Sequence, residues 1–377
     1  MRRLLIGTSL ISVTVGATAL VIPLYASSLG ASYTEIGMLG VAYVVLGAIF
    51  SIPLGRISDT RGRRGFMILG FISTAIALTL YSFAYTIIWL VVIRAIQGLT
   101  ETLVWINTQG AMADNSNLAE RGKVMGLYGR AWGVGIGFGP IMASILYVSI
   151  GAFYTFLLNG ALAFVSVAIV MTASLPEHKP AQQKLKTPGI NTLFFAGLMY
   201  IGVVAIIINI LPVYATKGLG LSIFYVGLLI TVFSLSRAFL FKPFGELSDR
   251  MGHRSLILAG IIGSSLALMS FVLVSGLLTL AVVLVLLSIS ASAIYPSVMG
   301  ALSKVGDGSN FGYLLGIFNL LMMVGWGIFP GIGGAIADAY GPTSTFVISG
   351  VILLASAVIL WRILPKDKNY EAKARNV

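Results

Sequence analysis

Arg94, Gln97, Glu101, Trp105 and Thr108 recur at helical spacing inside a long apolar run, so they share one stripe of a helix. Charged side chains in such a run are costly unless they face a cavity or one another. A carboxyl placed there has two uses. It can carry a proton, because taking one up removes a charge that the surroundings solvate poorly. It can also form a static ion pair that ties neighbouring helices together. The residues alone leave both readings open for Glu101. Arg130, in the following apolar run, is the expected partner. At about 1.5 Å per residue it lies roughly 13 Å from one face of a bilayer and Glu101 roughly 20 Å from the other, in a core about 30 Å thick, so their depths nearly coincide. Gln97 and Trp105 are candidate cavity-lining residues, as are Asn209, Tyr295 and Asn319 later in the chain. Each of the last three also reads as a satisfied interhelical hydrogen bond.

These residues sit in a chain that is 58% hydrophobic and 10% charged over 377 residues, with a mean hydropathy of +0.98. A soluble domain carries about 25% charged residues, and a soluble core of this size could not cover so much apolar surface. Lipid removes that difficulty, and the 44 glycines suit close packing of membrane helices. The net charge of +12 does not point to nucleic acid, since nearly all the Lys and Arg residues lie in short loops between apolar runs. There is no cysteine, and His178 and His253 both fall in loops, so no metal site and no cofactor is expected. Paired acids, or a nucleophile with a base, are missing too, which argues against an enzyme.

Windows long enough to span a bilayer lie near 4–28, 35–57, 66–84, 87–112, 122–148 and 151–175, then near 191–215, 222–244, 254–275, 277–302, 310–336 and 341–364. Arg2 and Arg3 before Ala17-Thr18-Ala19 imitate a cleaved leader, but the run continues to about Leu29 and reads as a span. The expected layout is a six-helix bundle over 1–175, a cytoplasmic linker over 176–190, a second six-helix bundle over 191–365 and a cytoplasmic tail over 366–377. With the first residues inside, the inner loops hold nearly all the basic residues and the outer loops essentially Lys217 alone. That bias predicts a multi-pass protein of the inner or plasma membrane with both termini cytoplasmic.

An internal repeat supports two halves. Leu29-Gly30, Gly37, Pro53, Gly55, Asp59, Gly62, Arg64, Gly126, Gly135, Gly137, Pro140 and Gly151 each have an identical residue 190 positions later. Arg94, Glu101 and Arg130 do not: their counterparts are Leu284, Ala291 and Leu320. Intramembrane charge is therefore expected in the first half, facing a more neutral second half. Arg237 is the exception, nearer the inner face, where snorkelling is one option.

The loop Gly55-Arg-Ile-Ser-Asp59-Thr-Arg-Gly62-Arg63-Arg64, with its second copy Gly245-Glu-Leu-Ser-Asp249-Arg-Met-Gly252-His-Arg254, resembles the signature loop of the major facilitator superfamily. Arg94-Ala-Ile-Gln97-Gly98 is similar to that family's Arg-x-x-Gln-Gly motif. Gly135 and Gly139-Pro140 resemble the glycine–proline motif of its proton-coupled exporters, with Ala143 and Ser144 where further glycines often stand. The resemblance covers essentially the whole chain. It implies an all-α membrane protein with twelve transmembrane helices in two six-helix repeats. It also implies a conformational latch at Gly55, Asp59, Arg63, Arg64, Gly245, Asp249 and Arg254, although the family's arginine after the aspartate is Thr60 here. Topology-setting arginines alone are the plainer reading of that loop. The function implied is secondary transport of a small molecule by alternating access, with proton-coupled export leading. Uptake by symport, facilitated diffusion and lipid flipping stay open, and a non-transporting sensor trails because only a short linker and tail are available. A monomer in lipid, with a small-molecule substrate and protons as its partners, completes the expectation. Ser32-x-x-Glu35 reads as a capping box, and Asp338 as a solvated helix end.

Overall fold

The computed structural model describes residues 2–114, 121–173, 191–305 and 311–365, so the expected linker and tail lie outside the described residues. The described elements are all helical: α1 (Arg2–Ser28), α2 (Tyr33–Arg61), α3 (Arg63–Leu80), α4 (Ile87–Asp114), α5 (Arg121–Met171), α6 (Asn191–Val213), α7 (Ile223–Met251), α8 (His253–Met269), α9 (Leu277–Val305), α10 (Phe311–Tyr340) and α11 (Pro342–Ile363). Among the described residues, eleven helices are long and apolar enough to cross a membrane. The fifth contains two of the expected windows. It is interrupted at Gly151, whose φ of 77° and ψ of 176° are not helical. A side chain there would meet the left-handed penalty that glycine escapes.

Six glycines have positive φ, and they form three pairs 190 residues apart: Gly30 and Gly220, Gly62 and Gly252, Gly151 and Gly341. The turns between helices thus reproduce the spacing seen in the sequence. Other contacts keep it as well. Arg64 donates to the Met171 carbonyl and Arg254 to that of Trp361. Arg63 lies against Gly110, and His253 against Gly300.

The helices alternate in direction between two ends. The near end holds Arg3, the turns at 62 and 252, and residue 365. The far end holds the turns at 29–32, 84–86, 219–222 and 274–276. α1 is an integral core helix: a Cβ on Gly16 would collide with the Ile136 carbonyl, and one on Gly139 with the backbone of Val13 and Ala17. Asn159 donates to the Thr14 carbonyl and to Thr18 Oγ1, fixing α1 against the second arm of α5.

Between residues 2–173 and 191–365, the main seams are α2 on α10 and α5 on α7. Toward the far end they are tight. A Cβ on Gly37 would strike Pro330 and Gly331, one on Gly334 would strike Tyr33, and one on Gly227 would strike Ser144 and Pro140. Pro140 cannot donate to the Ile136 carbonyl, and the next amide, Ile141 N–H, donates 3.0 Å across the seam to Thr231 Oγ1. Toward the near end the same seams part. Cβ atoms on Gly126, Gly129 and Gly316 would meet nothing within 4 Å. Among the described residues, the seams are closed at the far end and part at the near end.

Candidate functional site

Glu101 sits midway along α4, fully buried. Three neutral side chains donate to its carboxyl: Tyr43 O–H to Oε2 at 2.6 Å, Gln97 N–H to Oε1 at 2.7 Å and Trp105 Nε1–H to Oε2 at 3.3 Å. Gln97 relays onward, its Oε1 accepting from Arg94 at 2.9 Å and from Tyr81 O–H at 2.6 Å. The Arg94 guanidinium lies 4.6 Å from the centre of the Tyr43 ring, and its Nε is buried without a partner. Glu101 therefore makes no ion pair among the described residues. Its nearest coupling to a cation runs through one amide.

The local reason is the Gly98 backbone. A Cβ there would overlap the Tyr43 carbonyl, so α2 and α4 cross in direct backbone contact. Gly47 on α2 completes the crossing, facing the Gly98 carbonyl and Thr102. That proximity brings the Tyr43 phenol to Glu101. The stripe expected from helical spacing is thus correct for Arg94, Gln97, Glu101 and Trp105. Tyr43 and Tyr81 were not expected as members. The only sequence signal for them was the glycine next to Gln97.

Arg130 does not meet Glu101. It is exposed and makes no hydrogen bond or ion pair among the described residues. Equal depth was the basis for expecting the pair, but depth carries no information about which way a helix turns its face. Gly135 and Gly139 pack against α1 within the first half, whereas Gly137 faces Leu235 and the Pro140 carbonyl faces Gly227 across the seam. The helix-5 motif thus serves two interfaces.

In the second half, Asn209 is buried and donates to the Ala205 carbonyl at 2.9 Å, one turn back on its own helix, so the bond is intrahelical and not the interhelical one expected. Tyr295 is half-buried, 5.3 Å from the Phe241 ring and 5.6 Å from Tyr200. Asn319 is exposed. Arg237 does not snorkel: it donates to Tyr200 O–H at 2.6 Å and lies over the Phe233 ring at 4.9 Å.

At the near end, among the described residues, a Cβ on Gly55 would meet only Ile106, at 3.9 Å, and one on Gly245 only Pro296, at 3.8 Å. The described contacts of Arg63, Arg64 and Arg254 stay inside their own halves. Asp249 lies 3.9 Å from His253, whose other ring nitrogen is 2.7 Å from Ser248 Oγ. The side chain of Asp59 lies outside the described residues.

At the far end, Asp338 has a role that its position at a helix terminus did not reveal. Its carboxylate accepts from Tyr33 N–H at 2.9 Å and Thr34 N–H at 2.7 Å, capping α2 from the other side of the seam. Exposed amides at a helix start favour an anion. Lys217 adds a second tie, to the Ser27 carbonyl at 3.1 Å. The Ser32–Glu35 capping box is present as expected. Asp338→Ala removes two charge-assisted bonds that exist only with the far end closed, a loss of about 1–2 kcal/mol. Open far ends should then become roughly 5–30 times more frequent. Because the chain has no cysteine, spin labels on Thr86→Cys and Ser275→Cys can report the far-end separation. An unchanged distance distribution would remove Asp338 from the closure.

A groove of about 260 Å³ lies on the far side between α2 and α4, lined by Glu35, Met38, Ile87, Ile88, Val91 and Val92. Its one acid is already used by the capping box, and the groove lies apart from the Glu101 network.

Comparison with known proteins places this geometry. The chain is 25% identical over 364 residues to an uncharacterised MFS-type transporter of Methanocaldococcus jannaschii, covering 92% of this chain and 93% of that one. It is also 25% identical over 366 residues to a multi-drug resistance efflux pump PmrA homolog of Lactococcus lactis, covering 88% of each. A crystal structure of a bacterial homolog of the human lysosomal transporter Spinster shares the fold, with a TM-score of 0.85 at 16% identity over 98% of this chain and 97% of that one. These are transporters, not enzymes. The family model of the Major Facilitator Superfamily matches residues 4–192 and again 193–376, so the chain belongs to that superfamily of membrane transporters.

Proposed function

We propose that the protein is a proton-coupled exporter of a small organic molecule, working by alternating access. α5 is read as two spans on either side of Gly151, which makes twelve spans in two six-helix repeats. The near end, where the basic loops cluster, is cytoplasmic, with both termini on that side of the cell membrane and a single chain as the working unit. In this orientation the described conformation is open inward.

One observation carries the reading: a carboxyl buried at mid-depth is held by neutral donors and, among the described residues, has no cation bound to it. A structural ion pair needs a direct partner, and among the described residues Glu101 has none, Arg94 reaching it only through Gln97. Donors of this kind can hold the group with or without its proton. Tyr43 and Trp105 seal it, and Trp105 lies one turn toward the open end. The glycine faces that are closed at the far end and vacant at the near end support a rocking exchange of the two halves around this level. Kinship with an efflux pump supports the outward direction.

The test is transport in liposomes. Purified protein is reconstituted into vesicles with an acidic interior and a trapped pH dye, and a panel of organic ions and sugars is added. At least one compound should collapse the gradient only in the presence of protein. Movement of a compound with no proton flux would favour a facilitator or flippase instead.

A further inference from the structure

We infer that Arg237 and the aromatic side chains around it form an anion-holding subsite, so that the transported molecule is an organic anion with a flat apolar body. The inference rests on the transporter reading above and names its substrate class.

The first argument is charge. Arg94 and Glu101 are joined through Gln97 and balance each other. Arg237 has no such balance, making no ion pair with a carboxylate among the described residues. The acids further along α7 are otherwise engaged: Glu246 lies 3.9 Å from Lys242, and Asp249 lies 3.9 Å from His253. An uncompensated guanidinium at membrane depth is costly and marks a site where a counter-charge comes and goes.

The second argument is geometry. Tyr200 O–H, 2.6 Å away, accepts from one terminal nitrogen, while the ring faces of Phe233 and Tyr200 hold the guanidinium plane at 4.9 and 5.4 Å. Nε is sealed from solvent and has no partner among the described residues. The group is thus oriented by the protein with donors left over. A guanidinium with free N–H groups is matched to a carboxylate or sulfonate. Beside it, Tyr295 stacks on Phe241 at 5.3 Å and is only half-buried, offering a flat surface to an aromatic body.

The third argument is location. α7 forms one side of the seam that opens toward the near end. Arg130 stands on α5 one turn before Gly133, whose Cβ would lie 3.8 Å from Ala238, the residue after Arg237. Arg130 and Arg237, neither in an ion pair among the described residues, border the same seam, and together they bias it toward anions.

Three naphthalene probes that differ only in charge test this: 2-naphthoate, 2-naphthamide and 2-naphthylmethylammonium. Binding to the full-length protein is read from thermal stabilisation in detergent. Wild type should hold the anion about 10-fold more tightly than the ammonium, the size of one well-placed charge-assisted contact. Arg237→Gln should abolish that preference, Arg237→Lys should keep part of it, and Tyr200→Phe, which leaves the charge and loosens only its anchor, should weaken it about threefold. No binding of naphthoate to wild type, a preference for the ammonium, or an undiminished anion preference in a folded Arg237→Gln protein overturns the inference. Vesicle flux of the same probes separates this result from the transport reading. If only the ammonium or the amide crosses, the anion subsite is wrong and the transporter stands. If naphthoate binds through Arg237 and nothing crosses, the subsite stands and transport fails.

Discussion

Glu101→Gln should reduce proton-linked transport to the level of empty liposomes while leaving substrate exchange between the two sides intact. The reason lies in the surroundings of the carboxyl. Among the described residues, every hydrogen bond made to the Glu101 carboxyl is donated to it: from Gln97 on one oxygen, and from Tyr43 and Trp105 on the other. Glutamine preserves the volume and one acceptor but cannot release a proton. Its NH₂ must also face at least one donor, and that conflict costs about 1–3 kcal/mol of stability. A melting curve will show this cost without affecting the distinction. A carrier role predicts loss of net proton movement with counterflow of substrate retained, because exchange does not require the empty carrier to return with its charge changed. A purely structural role predicts that both assays fall together, in step with stability. Tyr43→Phe serves as the comparison: it removes one donor, keeps the carboxyl and should leave proton coupling in place.

Gly334→Val should produce the second large effect by blocking closure of the far end. The Cβ alone would collide with the Tyr33 carbonyl on the opposing helix, and backbone cannot swing aside as a long side chain can. Overpacking of this kind costs about 1–3 kcal/mol in a tight interface. Here the cost falls only on the state with the far end shut, so it becomes a shift in population of roughly 5–150-fold. Transport should fall accordingly, with the protein still folded, because each half keeps its own internal packing. Spin labels on Thr86→Cys and Ser275→Cys should show a longer far-end distance. Labels on Arg61→Cys and Met251→Cys at the near end should show a shorter one. A longer far-end distance with no change at the near end would mean that the two ends do not move reciprocally, and the alternating mechanism would need another description.

How much of this was legible in the sequence varied with the range of the interaction. Helical spacing placed Arg94, Gln97, Glu101 and Trp105 on one stripe, and the structure puts them in one network. The Ser32–Glu35 capping box was equally readable, since both partners lie within one turn. Tyr43 was not, because it reaches Glu101 from 58 residues away. Gly98 hinted at a close crossing without naming the helix that would make it. Arg130 was misassigned as the partner of Glu101 because depth along a helix can be counted from sequence whereas the direction a side chain faces cannot. Asp338 read as a solvated helix end for a similar reason. It is exposed, yet its acceptors are taken by amides about 300 residues earlier in the chain, 305 and 304 positions away.

The sequence by itself determined that the chain is a bundle of apolar helices, where they begin and turn, and that its two halves share a spacing of 190. Those properties follow from composition, local periodicity and the glycines that turns demand, all of which act over a few residues. The tertiary structure alone decided which charges are balanced and which end of the seam is shut. Glu101 is held by neutral donors, Arg237 stands without a counter-ion among the described residues, and Asp338 clasps the far end. Each is the outcome of helix crossings set by close backbone approach, and those join residues that nothing in the linear order brings together.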